Sequence, residues 1–116
     1  FIWLEDESMM DAVTAISGSG PAYIFYFLNA FIESAIGLGL SRSEAEKLCG
    51  KTLLGAAHLA SDQLNDLQNL IASVASKGGT TEEGLKQLES NKLNETLLKA
   101  TRAAYEKSKK IGSEFN

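Results

Sequence analysis

Residues 21–40, PAYIFYFLNAFIESAIGLGL, say most about the fold, because a proline is followed there by an almost unbroken apolar run. Its apolar residues leave no clean polar face, which predicts a buried helix from Pro21 to about Leu38. Pro21 suits a first helical turn, and Gly37 and Gly39 are placed to end the helix. A helix that is apolar all round must be covered all round. In a chain of 116 residues we expect a second copy to supply that cover, which makes the protein a homodimer.

The composition excludes several other classes of protein. An apolar fraction of 44% indicates a globular chain. A net charge of -4, with no basic stripe, argues against nucleic acid as a partner. Asn29, Glu33 and Ser34 interrupt the apolar run, so we expect no membrane span. The lone Cys49 and the lone His58 predict neither a disulfide nor a metal site. A single buried thiol fits a reducing compartment and therefore a cytoplasmic location.

Polar and glycine-rich breaks divide the chain into six predicted helices. Ser41 with Glu44, and Thr80 with Glu83, have the spacing of capping boxes that begin helices. The sequence shows little strand signal, so the predicted class is all-α, with one domain over residues 1–116. The predicted helices cover residues 8–16, 21–38, 41–63, 67–75, 80–90 and 92–110. Their expected inner faces include Ala45, Leu48, Cys49, Thr52, Leu53, Ala56 and Leu59 in the third helix, and Leu93, Leu97, Ala100, Ala104 and Ile111 in the last.

Two apparent nucleotide-binding motifs do not survive inspection. Gly50-Lys51-Thr52 ends like a phosphate-binding loop, but Ala45 stands where that loop needs its first glycine. Gly18-Ser19-Gly20 begins like a dinucleotide fingerprint, but Tyr23 replaces the third glycine. No strand leads into either motif. We therefore expect no nucleotide-binding fold within this chain.

Two small-residue segments remain as candidate sites. Gly78-Gly79-Thr80-Thr81 lets the backbone approach a ligand closely, and a helix start leaves N–H groups free for a small anion such as a carboxylate. An ordinary helix cap after a flexible turn explains the same residues. The small side chains of residues 17–23 leave room for a flat ring against the backbone. A simple tight link between two helices explains that segment equally well.

Five motifs follow each other along nearly the whole chain, namely DAVTA (11–15), SGSGPAY (17–23), GAA (55–57), SKGGTT (76–81) and AAYEKS (103–108). Together they closely resemble the motifs of pyrroline-5-carboxylate reductases. The resemblance implies the C-terminal half of such an enzyme, an interlocked homodimer of six helices with the fold of the 6-phosphogluconate dehydrogenase C-terminal domain. The family's preceding Rossmann domain, which mainly binds NADPH or NADH, is expected to be absent from these residues. Without it we expect the chain alone to bind no cofactor and to be inactive.

The resemblance also implies roles for individual residues in reducing 1-pyrroline-5-carboxylate to L-proline, the last step of proline biosynthesis. The segment of residues 76–81 is expected to bind the substrate, with the Thr81 hydroxyl near the ring nitrogen as the catalytic contact. The other segment faces the nicotinamide. The implied substrate-binding residues are Ser76, Gly78, Gly79, Thr80 and Thr81, and the implied cofactor-facing residues are Ser17, Gly18, Ser19 and Pro21. Two alternatives stay open, namely a non-catalytic helical dimerisation module and the helical domain of another imine or hydroxyacid reductase. Assembly beyond the dimer is also left open.

Overall fold

A computed structural model describes residues 9–75 and 79–114. Every regular element in these two ranges is helical, which confirms the predicted all-α class. The α-helices are α1 (Met10–Val13), α2 (Gly20–Gly37), α3 (Arg42–Ala60), α4 (Leu67–Ala75), α5 (Gly79–Ser90) and α6 (Leu93–Glu114). A π-helical turn (Thr14–Gly18) and a 3-10 helix (Leu64–Asp66) complete the set of described elements.

The chain divides into two compact units. The first contains the residues up to Ile24 and those from Glu89 onward, and the second runs from Phe25 to Leu88. In the first unit, α6 packs against α1 and against the π-helical turn. Ala15, inside that turn, is buried. In the second unit, the buried residues Ala45 and Cys49 lie one turn apart on α3, so part of the predicted inner face of this helix is confirmed.

The predicted capping box at the start of α3 is confirmed. The Ser41 hydroxyl accepts a hydrogen bond from the Glu44 N–H at 3.1 Å, and the Glu44 carboxylate accepts one from the Ser41 N–H at 2.9 Å. Ser41 has an extended backbone, as an N-cap residue requires. The guanidinium of Arg42, the first residue of α3, also lies 3.8 Å from the Glu33 carboxylate on α2. Local sequence and local structure therefore agree at this helix start.

The predicted break at residues 17–20 is wrong, because the backbone stays helical there. The helix widens into the π-helical turn, in which the Ser19 N–H donates to the carbonyl oxygen of Thr14, five residues earlier, at 3.0 Å. The Ser17 hydroxyl donates to the carbonyl oxygen of Val13 at 2.9 Å. Glycine weakens a helix without forbidding it. The π-helical turn, with its hydrogen bond from the Ser17 hydroxyl, therefore connects α1 to α2 without a break in the helical backbone.

Other helix boundaries also differ from the prediction, and α6 runs to Glu114, four residues beyond its predicted end. α3 ends at Ala60, three residues before the predicted end, and the Ser61 hydroxyl donates to the His58 carbonyl oxygen at 2.8 Å. Such a side-chain bond competes with continuation of the helix. α6 begins at Leu93 because Lys92 has a left-handed backbone with φ of 60°. Lys92 thus separates α5 from α6 and does not open the last helix.

Much of the predicted apolar surface is uncovered in the single chain. No residue of α2 is buried, and Phe25, Tyr26 and Phe27 are 68%, 80% and 53% exposed. The rings of Phe27 and Phe31 stack on each other with centroids 5.6 Å apart. Other large side chains that the sequence assigned to inner faces are also exposed, namely Leu48 and Leu59 on α3 and Leu93, Leu97 and Ile111 on α6. Within the described ranges, no helix has both the length and the apolar character that a membrane crossing requires.

Candidate functional site

The first candidate segment forms the start of α5. Gly79, Thr80 and Thr81 are the first three residues of this helix, and Thr81 is half-buried while the other two are exposed. The helix itself offers no acceptor to the N–H groups of its first turn. A Cβ built on Gly79 meets no heavy atom within 4 Å. The backbone here is therefore open to close approach by a small group, and the positive end of the helix dipole favours an anion.

The predicted second capping box does not form at this helix start. Thr80 lies inside the first turn of α5, whereas an N-cap residue must have a non-helical backbone. The Glu83 carboxylate instead lies 3.5 Å from the ammonium of Lys86, one turn further along. This pair is exposed on both sides and contributes little to stability. Because the helix starts at Gly79, the Thr80 and Thr81 hydroxyls sit within the first turn, beside the N–H groups.

Two of the predicted substrate-binding residues, Ser76 and Gly78, lie outside the described residues. Their assignment to the site therefore stays a prediction. Glu82 also belongs to the first turn of α5. Its carboxylate is favourable at a helix N-terminus, and any anionic ligand of this turn must bind beside it.

The second candidate segment runs from the π-helical turn into α2. Ser17 and Gly18 belong to the turn, Ser19 follows it with a helical backbone, and Pro21 is the second residue of α2. The Ser19 carbonyl oxygen accepts a bond from the Ala22 N–H at 3.0 Å. The segment is therefore helical, and it connects α1 to α2, so a tight link between two helices still explains it as well as a ligand site does.

This segment has the shape that a flat ring needs. Ser17, Gly18 and Pro21 are exposed, and a Cβ built on Gly20 meets no heavy atom within 4 Å. None of these side chains is large enough to keep a ring away from the backbone. The Ser17 hydroxyl already donates its hydrogen to the Val13 carbonyl oxygen, so towards a ligand it can only accept. The residues present fit a nicotinamide lying against the backbone.

The two segments belong to different units of the chain. Residues 17–21 lie in the first unit, and residues 79–81 lie in the second. Each unit brings its own candidate residues together in one helical turn.

The sequence analysis missed a groove in the first unit. The groove has a volume of about 590 Å³ and is open to solvent, and residues of α1, the π-helical turn and α6 line it. The Arg102 guanidinium lies 5.3 Å from the centroid of the Tyr105 ring. Leu98, Arg102 and Tyr105 follow each other at spacings of four and three residues. This spacing could have indicated from the sequence that they share one face of the helix. The lining residues are Ala12, Ile16, Leu98, Thr101, Arg102 and Tyr105.

The part of the chain that the structure describes contains no set of side chains suited to binding a metal ion. No group of three or more His, Cys, Asp or Glu side chains is arranged there to hold a metal ion. His58 is exposed near the end of α3, and Cys49 is buried in the middle of the same helix. The candidate chemistry of the described residues therefore consists of helix N–H groups, hydroxyls and backbone shape.

Comparison with known proteins identifies the family. Residues 7–111 match the family model described as pyrroline-5-carboxylate reductase dimerisation. A pyrroline-5-carboxylate reductase of Pseudomonas aeruginosa is 39% identical over 114 residues, which cover 98% of this chain and 42% of the relative. The chain therefore belongs to the pyrroline-5-carboxylate reductase dimerisation family, and the predicted resemblance is confirmed.

Two solved structures have the same fold. A pyrroline-5-carboxylate reductase from Coxiella burnetii matches with a TM-score of 0.89 and 43% identity, over 95% of this chain and 41% of that one. A pyrroline carboxylate reductase from Plasmodium falciparum, with NADP bound, matches with a TM-score of 0.86 and 38% identity, over 92% of this chain and 41% of that one. The chain thus spans about two fifths of the length of the proteins that it matches.

Proposed function

We propose that residues 1–116 form the C-terminal dimerisation and substrate-binding domain of a cytoplasmic pyrroline-5-carboxylate reductase, the enzyme that reduces 1-pyrroline-5-carboxylate to L-proline. The family match over residues 7–111 supports this assignment. The chain covers less than half of its relatives, so a cofactor-binding domain elsewhere in the full-length enzyme completes the active site.

The exposure of helix α2 is the main observation that supports the proposed dimer. Phe25, Tyr26 and Phe27 are all more than half exposed, although a helix of this composition needs cover on every side. A second copy packed against α2 removes this aromatic surface from water.

In the proposed site, the start of α5 binds the substrate. The N–H groups of Gly79, Thr80 and Thr81 and the helix dipole receive the carboxylate of the imino acid. The Thr81 hydroxyl lies near the ring nitrogen and accepts a hydrogen bond from its N–H when the imine is protonated. Ser76 and Gly78 extend the same cradle. A protonated imine needs no strong protein acid, so these residues bind and orient the ring.

The segment from Ser17 to Pro21 faces the nicotinamide of NADPH or NADH in this proposal. When bound, the reduced nicotinamide supplies the hydride that adds to the imine carbon. Exposed backbone at Gly18 and open space at Gly20 allow the flat ring to lie close. The enzyme then accelerates the reaction mainly by holding the nicotinamide ring and the imine ring face to face, which raises their effective concentration.

Two measurements on matched proteins test the proposal. We expect light scattering of the 116-residue chain to give the mass of a dimer or of a larger even assembly. We expect oxidation of NADPH with 1-pyrroline-5-carboxylate in the full-length enzyme and none with the chain alone. A monomeric chain would contradict the dimerisation role. A full-length enzyme without this activity, but active on another cyclic imine or a hydroxyacid, would assign the domain to a different reductase.

A further inference from the structure

A hydrogen bond joins the two ends of the first unit. The Ser108 hydroxyl on α6 donates to the Asp11 carboxylate on α1 at 2.7 Å, across 97 residues of sequence. Both residues are half-buried. Two other hydroxyl groups of α6 bond within their own helix, that of Thr101 to the Leu97 carbonyl oxygen at 3.1 Å and that of Ser113 to the Lys110 carbonyl oxygen at 2.9 Å. The bond of Ser108 therefore connects two elements, and hydrogen bonds to charged acceptors are the stronger kind.

The π-helical turn lies beside the contact between α1 and α6. α6 packs against this turn as well as against α1. Ala15, the second residue of the turn, is only 2% exposed. Ile16, also in the turn, lines one groove together with Leu98 and Tyr105 of α6. The position of α6 is thus coupled by packing to the shape of the turn.

A π-helical turn needs such support. It is rarer and less stable than an α-helical turn, and it persists where its surroundings favour it. It also contains one more residue per turn than the α-helix. Reversion to α geometry would rotate the following residues by about 100° relative to α1. The direction in which Ser19 and Pro21 face therefore depends on keeping the turn wide.

We propose that Ser108, through its bond to Asp11, is a positioning residue for the cofactor-facing segment. The bond fixes α6 on α1, α6 holds the π-helical turn, and the turn sets the face that residues 17–21 present to the nicotinamide. This inference deepens the proposed function and rests on its assignment of that segment. Ser108 itself touches neither substrate nor cofactor in this role.

The test compares variants of the full-length enzyme by steady-state kinetics and by hydrogen exchange of peptides that cover residues 14–23. For Ser108→Ala we expect a KM for NADPH raised roughly three- to tenfold, because small displacements near a reacting group are costly. The KM for 1-pyrroline-5-carboxylate should change little. Amide exchange in residues 14–19 should become faster, since the Ser19 N–H to Thr14 bond opens more often. Asp11→Ala should have the same effects, and combining the two variants should add little further change.

Two further variants separate positioning from general stability. Asp11→Asn keeps an oxygen acceptor for Ser108, so it should retain more NADPH affinity than Asp11→Ala. Ser113→Ala removes a hydroxyl from the same helix without touching α1, so its kinetics and exchange should match those of the unaltered enzyme.

The inference is overturned if Ser108→Ala leaves the exchange of residues 14–19 unchanged. It is also overturned if exchange rises equally in α3 and α4, which would indicate only a loss of global stability. Faster exchange of the turn with an unchanged KM for NADPH would break the link to the cofactor. Failure of the unaltered enzyme to oxidise NADPH would instead refute the proposed function, and the exchange data would still decide the link between Ser108 and the turn.

Discussion

The backbone N–H of Gly39 donates a 2.9 Å hydrogen bond to the carbonyl oxygen of Ile36, near the end of α2. The next residue, Leu40, donates its N–H to the carbonyl oxygen of Ala35 at 3.2 Å. Together these bonds form a Schellman motif, which satisfies carbonyl groups that the helix leaves free. Gly39 has a φ of +109°, in a region that residues with a side chain rarely adopt. The aromatic helix therefore ends where a glycine allows the chain to turn towards Ser41.

Gly39→Ala should lower the free energy of unfolding by about 1–2 kcal/mol, because a Cβ disfavours the left-handed backbone. No heavy atom lies within 4 Å of the added Cβ, so the cost comes from the backbone and not from a clash. Gly37→Ala is the matched control, since Gly37 is helical and its Cβ site is equally open. That control should stabilise the protein by up to about 1 kcal/mol. Urea unfolding measures both, and equal effects of the two variants would contradict the role of the φ angle.

Acid should weaken the cap of α3 in a way that depends on Glu44. The Ser41 backbone N–H, and then the Ser41 hydroxyl, hold the pKa of the Glu44 carboxyl below its ordinary value of 4.5. A lowered pKa in the folded state stabilises the fold above that ordinary value, and this contribution is lost as the pH falls through the lowered pKa. The urea midpoints of the unaltered protein and of Glu44→Gln should therefore differ at neutral pH and converge in acid.

Glu46→Gln is the control for that acid experiment. It removes the same charge from the same helix, but the Glu46 carboxylate bonds the Arg42 side chain at 3.1 Å rather than a backbone N–H. The urea midpoints of Glu44→Gln and the unaltered protein could instead differ by the same amount at every pH. That result would show that the Glu44 carboxylate does not stabilise the cap.

Phe27→Glu should prevent dimer formation, giving monomers or insoluble protein. In the dimer that we propose, the Phe27 ring is buried beside Phe31, and an unpaired charge in such a place costs several kcal/mol, roughly 3–5 by analogy with broken buried ion pairs. Phe27→Leu keeps an apolar side chain at the same position and should remain dimeric. Size-exclusion chromatography with light scattering distinguishes these results. A soluble Phe27→Glu dimer of normal stability would mean that α2 lies outside the interface.

Thr81→Ala in the full-length enzyme should raise the KM for 1-pyrroline-5-carboxylate and lower kcat. Loss of one hydrogen bond to the substrate corresponds to a factor of roughly 2 to 12 in kcat/KM. Thr81→Ser keeps the hydroxyl and should recover most of the activity. Thr52→Ala is a matched control, because the Thr52 hydroxyl bonds only the Leu48 carbonyl oxygen within α3 in the described structure. Unchanged kinetics for Thr81→Ala would remove this residue from the site.

The local signals in the sequence were reliable where short-range bonds decide the structure. The capping box of Ser41 and Glu44 and the glycine at position 39 depend on residues within five positions of each other, so residue type and spacing suffice to predict them. The capping box of Thr80 and Glu83 was a wrong prediction with the same spacing. The helix begins one residue earlier, at Gly79, and spacing alone does not say which of several nearby residues begins a helix.

Residue types, motifs and periodicity were enough to predict the helical class, the family and an apolar helix without a clean polar face, because each of these properties lies within short segments. The wide turn of residues 14–18 and the bond from Ser108 to Asp11 could be found only in the folded chain. The width of that turn and the bond across 97 residues depend on how α6 packs against α1. No pattern within either helix contains that information, because packing brings together residues that are distant in the chain.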